Sequence, residues 1–112
     1  MIRITCYIRP HRLESVKSAI AALGVNGMSV SEVRGTGASP EVSQWFGGHE
    51  SLVALPIRSR VEVVADDELQ DAIVQAIVEN ARTGEPGDGK VFVEPVIDAV
   101  RIRTLERGNL AI

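Results

Sequence analysis

The chain has 112 residues, of which 45% are hydrophobic and 24% charged, so it is long enough for one hydrophobic core and too short for two. We therefore expect a single domain over residues 1–112. Twelve basic side chains against fifteen acidic ones give a net charge of −3, which provides no overall positive field for nucleic acid or an anionic membrane. One Trp, one Tyr and two Phe are too few for the stacking platforms of RNA-binding sheets.

Cysteine and histidine are scarce in this sequence. Cys6 is the single cysteine, and His11 and His49 are too far apart for a Cys/His metal motif. No apolar run approaches the roughly 18 residues of a membrane span, and residues 1–12 contain no signal-peptide core. We expect a cytoplasmic protein without a metal site and without a segment inserted in a membrane.

The first third of the chain predicts a strand, a helix and a second strand. Residues 2–9, IRITCYIR, alternate apolar and polar side chains, which predicts a strand with one buried face. Apolar residues then recur at helical spacing over residues 12–23, between Pro10 and Gly24, and predict an amphipathic helix. Residues 28–35, MSVSEVRG, return to alternation and predict the second strand.

A loop separates these elements from the rest of the chain. Residues 35–51 contain four Gly, one Pro, three Ser and one Thr and have no sustained period, which predicts a long exposed loop. Residues 57–65 predict a third strand. A second helix follows, with Asp66 or Asp67 as its N-cap, and ends near Arg82.

The last part of the chain begins with a glycine-rich turn, residues 83–90, TGEPGDGK. A fourth strand is predicted over residues 90–97, KVFVEPVI, and a last short strand over residues 99–104, AVRIRT. Because Arg101 and Arg103 alternate with an apolar residue, we expect both guanidinium groups on one face of that last strand.

The order of these elements predicts the fold class. It suits an α+β, ferredoxin-like βαββαβ sandwich, with an antiparallel sheet and both helices on one face. The opposite face would carry a mixture of polar and charged residues that suits a subunit interface or a polar central channel: Arg3, Thr5, Tyr7, Arg60 and Glu62.

Two features could bind an anion, and each has a plainer interpretation. In the glycine-rich turn, three glycines and Lys90 could cradle a phosphate, or the turn could simply end a helix and reverse the chain. It is not a Walker A loop, because the spacing differs and no helix follows the lysine. Arg101 and Arg103 could grip a phosphate, or they could form a solvated edge that resists aggregation.

Four segments of the chain form a pattern when they are taken together with their spacing. They are Ile8-Arg9-Pro10 followed by Leu13 and Val16; residues 24–33, GVNGMSVSEV; Thr83 followed by residues 87–93, GDGKVFV; and residues 101–104, RIRT. In content and spacing these segments resemble the PII signal-transduction protein family, and the resemblance extends over nearly the whole chain without gaps.

The resemblance implies a compact homotrimer that binds adenine nucleotides in clefts between neighbouring subunits. ADP, ATP and AMP are then ligands, and no obligatory cofactor is implied. The long loop, about residues 36–54, corresponds to the family's T-loop, whose conformation responds to the bound ligands and which docks on a target protein. The resemblance therefore implies a switch rather than an enzyme.

The family's nucleotide-binding residues correspond to three groups here. They are the phosphate cradle Gly87, Asp88, Gly89 and Lys90, reached by Arg101 and Arg103 of the adjacent subunit; the border of the adenine and ribose, Ser29, Glu62 and Val64; and the glycines at the root of the T-loop, Gly35 and Gly37.

The T-loop differs from that of the nitrogen-regulatory members of the family. Those members carry an arginine and a glutamine after the Gly-x-Gly run, and the glutamine helps to hold Mg²⁺ and 2-oxoglutarate; here the positions are Ala38 and Ser39. The sequence thus favours a divergent PII-like branch, such as those associated with carboxysomes or bicarbonate uptake. Its effector would be a small anion such as bicarbonate, which Arg58 could bind.

Other positions of the loop leave their roles open. Ser51 occupies the place of a tyrosine that many relatives present for nucleotidylation; its hydroxyl could accept a phosphate or be merely solvated. Trp45 and Phe46 either pack on the domain or form an anchor for a partner.

Three alternatives remain. The first is a nitrogen-regulatory PII protein that senses ATP and 2-oxoglutarate, and the second is a structural trimer of the related metal-tolerance type that binds no nucleotide. The third is a small phosphate-ester or acyl-phosphate hydrolase, which would need an asparagine at its phosphate loop. Because Asn26, Asn80 and Asn109 all lie outside the glycine-rich turn, catalytic turnover is not expected.

Overall fold

A computed structural model of the chain describes residues 1–25, 27–37, 42–44, 51–53 and 55–112, with the backbone alone for residues 42–44 and 51–53. Six strands and two α-helices are present in this part of the chain. They are β1 (Ile2–Ile8), α1 (Leu13–Ala22), β2 (Met28–Arg34), β3 (Val42–Gln44), β4 (Ser51–Val53), β5 (Ile57–Ala65), α2 (Gln70–Ala81) and β6 (Lys90–Pro95).

Four of the strands form one antiparallel sheet in the order β2-β5-β1-β6. In the register of this sheet, Tyr7 of β1 lies opposite Arg60 of β5 and Lys90 of β6, and Thr5 lies opposite Glu62 and Phe92. This arrangement confirms the predicted α+β, ferredoxin-like βαββαβ fold with its antiparallel sheet.

Both helices cover the same face of the sheet. The fully buried side chains come from alternate positions of β1 and β5 and from one stripe of each helix: Ile4, Cys6, Ile8, Val61, Val16, Ile20, Ile73 and Ile77. This is the pattern expected where amphipathic helices bury their apolar stripes against a sheet. The same burial raises the pKa of the Cys6 thiol to about 11.

The opposite face of the sheet carries a network of charges, as predicted. One carboxylate oxygen of Glu62 accepts hydrogen bonds from Arg60 at 3.0 Å and from Thr5 at 3.4 Å. Arg3 donates to Glu94 of the edge strand β6 at 3.3 Å. Thr5 is itself buried at 7% exposure, so this network covers the middle of the face.

The predicted loop over residues 35–51 is wrong in one respect. Within and just beyond it, β3 pairs with β4 in a short antiparallel ladder. Strands of three residues are too short to show a period in the sequence. Trp45, Phe46 and His49 lie outside the described residues.

The predicted last strand over residues 99–104 is also wrong. Residues 100–107 instead form a C-terminal hairpin, in which Val100 bridges Arg107 and the backbone N–H of Arg101 donates to the carbonyl of Glu106 at 2.9 Å. Leu105 has a positive φ of 66° at the reversal. Ile102 is 93% exposed, so no neighbouring strand holds this alternating segment in an extended form.

Candidate functional site

The glycine-rich turn, residues 83–90, connects the end of α2 to β6. Gly87 and Gly89 have φ values of +98° and +105°, a region that glycine adopts at little cost. Gly89 is also pressed against β1, since a Cβ at this position would lie 1.6 Å from the carbonyl oxygen of Tyr7. Only glycine allows the turn to approach the sheet this closely.

Asp88 organises the turn from within. Its carboxylate accepts hydrogen bonds from the backbone N–H groups of Thr83 and Gly84, both at 2.8 Å, and from the Thr83 hydroxyl. Arg9 donates to it through Nε at 3.3 Å. These donors, above all the Thr83 hydroxyl, hold the pKa of Asp88 well below its ordinary value of 3.8. Asp88 thus shapes the turn as a charged acceptor.

The turn forms one wall of a cavity of about 660 Å³. The T-loop root, residues 34–37, forms another part of the lining, and Tyr7, Val33, Arg58 and Phe92 complete it. The two aromatic rings meet edge to face, with centroids 6.1 Å apart. The cavity therefore has an aromatic surface beside a charged one.

The charged groups of this cavity favour an anion. Arg34, Arg58 and Lys90 line it, together with the acids Glu85 and Asp88. The Asp88 carboxylate is already engaged by four donors. Among the residues that the structure describes, no acceptor is found for the backbone N–H groups of Gly87 and Gly89, and such groups beside cations are the donors that phosphate-cradling turns use.

Hydrogen bonds connect the T-loop root to residues 55–56, which follow the T-loop in sequence. The backbone N–H of Gly35 donates to the carbonyl of Pro56 at 3.2 Å, and Arg34 donates to the carbonyl of Leu55 at 3.4 Å. Gly35 and Arg34 line the cavity, so a ligand there would lie beside the hydrogen bonds that join the two ends of the T-loop.

A second cavity of about 610 Å³ lies at the other end of β2 and β5. It contains the three residues that the sequence assigns to the adenine and ribose, Ser29, Glu62 and Val64, beside Leu69 and Ile112. None of these residues lines the cavity at the glycine-rich turn.

Arg101 and Arg103 line neither cavity. Arg101 pairs with Glu106 at 3.5 Å. Arg103 is exposed at the tip of the C-terminal hairpin, and no ion pair or hydrogen bond of its side chain to a described residue is present. Because residues 100–107 form a hairpin and not a continuous strand, our expectation that both guanidinium groups share one face of a strand is wrong.

The structure thus divides the predicted site residues among three places. The turn residues Gly87, Asp88, Gly89 and Lys90 come together with Gly35, Gly37 and Arg58, whereas Ser29, Glu62 and Val64, and then Arg101 and Arg103, lie elsewhere on the chain. Ser51 begins β4, and its side chain lies outside the described residues.

Sequence reasoning did not assign several residues of the first cavity and its turn to the site. Arg34 and Tyr7 line the cavity, and Arg9 holds Asp88. Arg9 belongs to the Ile8-Arg9-Pro10 segment of the family resemblance, but the sequence does not reveal its partner, because Asp88 lies 79 positions away. A second signal was an aspartate between two glycines, which requires donors from elsewhere to define its conformation.

Two classes of site are absent from the described residues. No group of three or more His, Cys, Asp or Glu side chains there could hold a metal ion. None of the helices in these ranges is long and apolar enough to cross a membrane.

The chain is similar to known proteins over its whole length. The profile of the family described as "Nitrogen regulatory protein P-II" matches residues 1–106. "Nitrogen regulatory protein P-II 1" of Methanothermobacter thermautotrophicus is 46% identical over 112 residues, which are 100% of this chain and 97% of the relative. "Nitrogen regulatory protein P-II" of Nostoc punctiforme is 42% identical over 112 residues, the full length of both chains. The "Nitrogen regulatory protein P-II homolog" of Arabidopsis thaliana is 40% identical over 110 residues, which are 97% of this chain and 56% of the plant protein.

Proposed function

Because this chain belongs to the nitrogen regulatory protein P-II family, whose members are signalling regulators, we propose that it is a switch that binds an adenine nucleotide and passes the signal to its T-loop. The family membership confirms the resemblance seen in the sequence. The nucleotide, its position and the effector are the content of the proposal.

One observation carries the proposal, namely that a single cavity is shared by the glycine-rich turn and the T-loop root. A ligand held by the turn would contact Gly35 and Gly37, directly beside the hydrogen bond between Gly35 and Pro56. A ligand shifts a conformational equilibrium only if it binds the two states with different free energies. Contact with the T-loop root, beside the hydrogen bond that joins it to Pro56, would supply such a difference.

The phosphates fit the turn by their chemistry. The N–H groups of Gly87 and Gly89 would donate to phosphate oxygens, and the Lys90 ammonium would balance their charge. Asp88 would not compete with the phosphates for these donors, because its carboxylate is engaged inside the turn.

The remainder of the nucleotide site would come from a neighbouring copy of the chain in a homotrimer. In that assembly the second cavity, with Ser29, Glu62 and Val64, would border the adenine and ribose, and the C-terminal hairpin of a neighbour would bring Arg101 and Arg103 to the phosphates. Large exposed apolar side chains on β6 and near the C-terminus, of the kind that subunit contacts cover, support the assembly: Phe92, Val93, Ile97, Ile102, Leu105 and Leu110.

The effector would be a small anion beside Arg58, which lines the same cavity. Bicarbonate is our first candidate, because Ala38 and Ser39 replace the arginine and glutamine of the nitrogen-regulatory members. The second candidate is 2-oxoglutarate with Mg²⁺ and ATP, the alternative in which the chain is a nitrogen regulator, as its relatives are named. In both cases the T-loop would act on a target protein, and no chemical turnover is required.

Calorimetric titration tests the proposal. ADP, ATP and AMP are added to the protein, each alone, with bicarbonate, and with 2-oxoglutarate plus Mg²⁺. We expect saturable binding of at least one nucleotide, near one per chain, and a change of its affinity by one of the two anions, which identifies the effector by coupling. If no nucleotide binds, the proposal fails and a structural trimer becomes the better account.

A further inference from the structure

Arg9 connects the end of β1 to the glycine-rich turn across 79 positions of sequence. Its Nε donates to the Asp88 carboxylate at 3.3 Å, and its Nη2 donates to the carbonyl oxygen of Pro86 at 2.5 Å. The side chains of Arg9 and Asp88 are each only 23% exposed. One guanidinium group therefore contacts the turn on both sides of Gly87.

These two contacts fix a backbone conformation that the local sequence does not impose. Gly87 has a φ of +98°, and glycine adopts many other conformations as readily. The backbone N–H groups of Thr83 and Gly84 donate to the Asp88 carboxylate. Arg9 donates to the same carboxylate and also to the carbonyl of Pro86. The planar, forked guanidinium suits such a double contact, which the single nitrogen of a lysine cannot make with the same geometry.

The same contact balances charge at the place where a polyanion would bind. Asp88 lies between Gly87 and Gly89, the two residues whose N–H groups face no described acceptor. An uncompensated carboxylate there would repel phosphate oxygens, and the repulsion would grow with each added phosphate charge. An aspartate with the ordinary pKa of 3.8 is already ionised at neutral pH, and the contacts of Asp88 lower its pKa further, so the compensation is needed throughout the physiological range.

We propose that Arg9 is a positioning residue for nucleoside polyphosphates, which aligns the N–H groups of Gly87 and Gly89 with the cavity and cancels the charge of Asp88. This inference rests on the proposed function, since it concerns the same turn and the same class of ligand. Arg9 acts through Pro86 and Asp88 and does not line the cavity itself.

The test compares three variants with the wild type: Arg9→Gln, Arg9→Lys and, as the matched control, Arg82→Gln. Arg82 is exposed, lies one residue before the turn, and is absent from the lining of the cavity. Thermal unfolding first establishes that each variant folds. ATP, ADP and AMP are then titrated separately, and the amide NMR signals of Gly87 and Gly89 are recorded in the free proteins.

We expect Arg9→Gln to weaken ATP binding by about tenfold, equivalent to 1.4 kcal/mol, and to weaken AMP binding much less. Arg9→Lys should restore part of the affinity, because it keeps the charge and loses the fork. Arg82→Gln should change affinity by less than about twofold, since exposed charges are screened. The amide signals of Gly87 and Gly89 should shift in Arg9→Gln and stay in place in Arg82→Gln.

A double variant separates this role from a general loss of stability. In an Asp88→Asn background, Arg9→Gln should cost clearly less ATP affinity than it does in the wild type, because the charge to be balanced is gone. An equal loss in both backgrounds, or an equal loss for ATP and AMP, would overturn the inference.

Further outcomes are equally decisive. If the wild type binds ATP and Arg9→Gln binds it as tightly, the inference fails and the proposed function stands. If the wild type binds no nucleotide, both fail. If Arg9→Gln does not fold, the Arg9→Lys variant is used for the test instead. The inference would be overturned if Arg9→Lys bound ATP as tightly as the wild type and its Gly87 and Gly89 amide signals did not shift.

Discussion

The glycine-rich turn and the C-terminal hairpin both carry cations that the sequence assigns to phosphate, but they are built in different ways. The turn is held by tertiary contacts, since Arg9 reaches it from the end of β1 and Gly89 presses on Tyr7. The hairpin is closed by local contacts, such as the ion pair between Asp98 and Arg107 at 2.7 Å.

This difference indicates which surface each region contributes to the site. The turn forms the wall of a cavity in its own chain, whereas Arg103 at the tip of the hairpin is exposed and lines neither cavity of that chain. An exposed hairpin whose tip cation, Arg103, has no partner among the described residues of its own chain is suited to act on a neighbouring copy. On our account, one chain therefore carries two separated halves of the site.

Gly89→Ala should have the largest effect on stability and on ATP binding, because it disrupts the contact between the turn and β1. The new Cβ would meet the Tyr7 carbonyl, and the residue would also be strained at a φ of +105°. We expect the free energy of unfolding to fall by about 3 kcal/mol and ATP binding to be lost, as measured by urea denaturation and calorimetry.

Two other glycines provide controls for that experiment. Gly84 has a positive φ but open space around its Cβ position, so Gly84→Ala should cost only about 1 kcal/mol of stability. Gly37 has neither constraint, so Gly37→Ala should leave stability unchanged. Equal losses for all three variants would show that the close approach to Tyr7 is unimportant.

Lys90→Ala and Arg103→Ala probe the turn and the hairpin with one charge each. We expect either variant to weaken ATP binding by about 1.5 to 3 kcal/mol, the scale of a charged hydrogen bond, without a change in thermal stability. Arg82→Ala is the control for loss of a charge, since Arg82 is exposed and lines neither cavity, and it should leave affinity unchanged. If neither Lys90→Ala nor Arg103→Ala changed the affinity for ATP, the proposal that this turn binds the phosphates would be contradicted.

Asp88→Asn should reveal the charged contacts of the turn through pH. The folded-state pKa of Asp88 is lowered by Thr83, Gly84 and Arg9, so its stabilising contribution is complete above the unfolded value near 4 and is lost as the pH falls through the lowered pKa. The urea midpoint of Asp88→Asn should therefore lie below that of the wild type from about pH 7 to about pH 5, and the gap should close under strongly acidic conditions. A gap that does not change with pH would contradict this.

The sequence was sufficient for the sheet and helices because burial imposes a period on them. Alternation over Ile2, Ile4, Cys6 and Ile8 reflects contact with the helices on one face of β1. The same alternation at Val100 and Ile102 misled us, since these residues are exposed and a turn at Leu105 reverses the chain. Periodicity indicates a strand only where another surface covers one of its faces.

The residues of the turn could be predicted from the sequence, but the contacts that fix its conformation could not. Gly87, Gly89 and Lys90 are visible as a motif, whereas the donors that position Asp88 include Arg9, which is 79 residues away. The separation of Ser29, Glu62 and Val64 from the glycine-rich turn was equally hidden, because spacing along a chain does not reveal which residues meet in the fold.

The most direct test of the central claim, that the nucleotide site is completed by a neighbouring copy, mixes two variants that each bind ATP weakly. Lys90→Ala and Arg103→Ala chains are denatured, refolded together and titrated with ATP. In a mixed trimer, one interface joins an intact turn to an intact hairpin, so we expect about one high-affinity site to return in each mixed trimer. If the mixture binds no better than the separate variants, the site is not shared between copies and our account is contradicted.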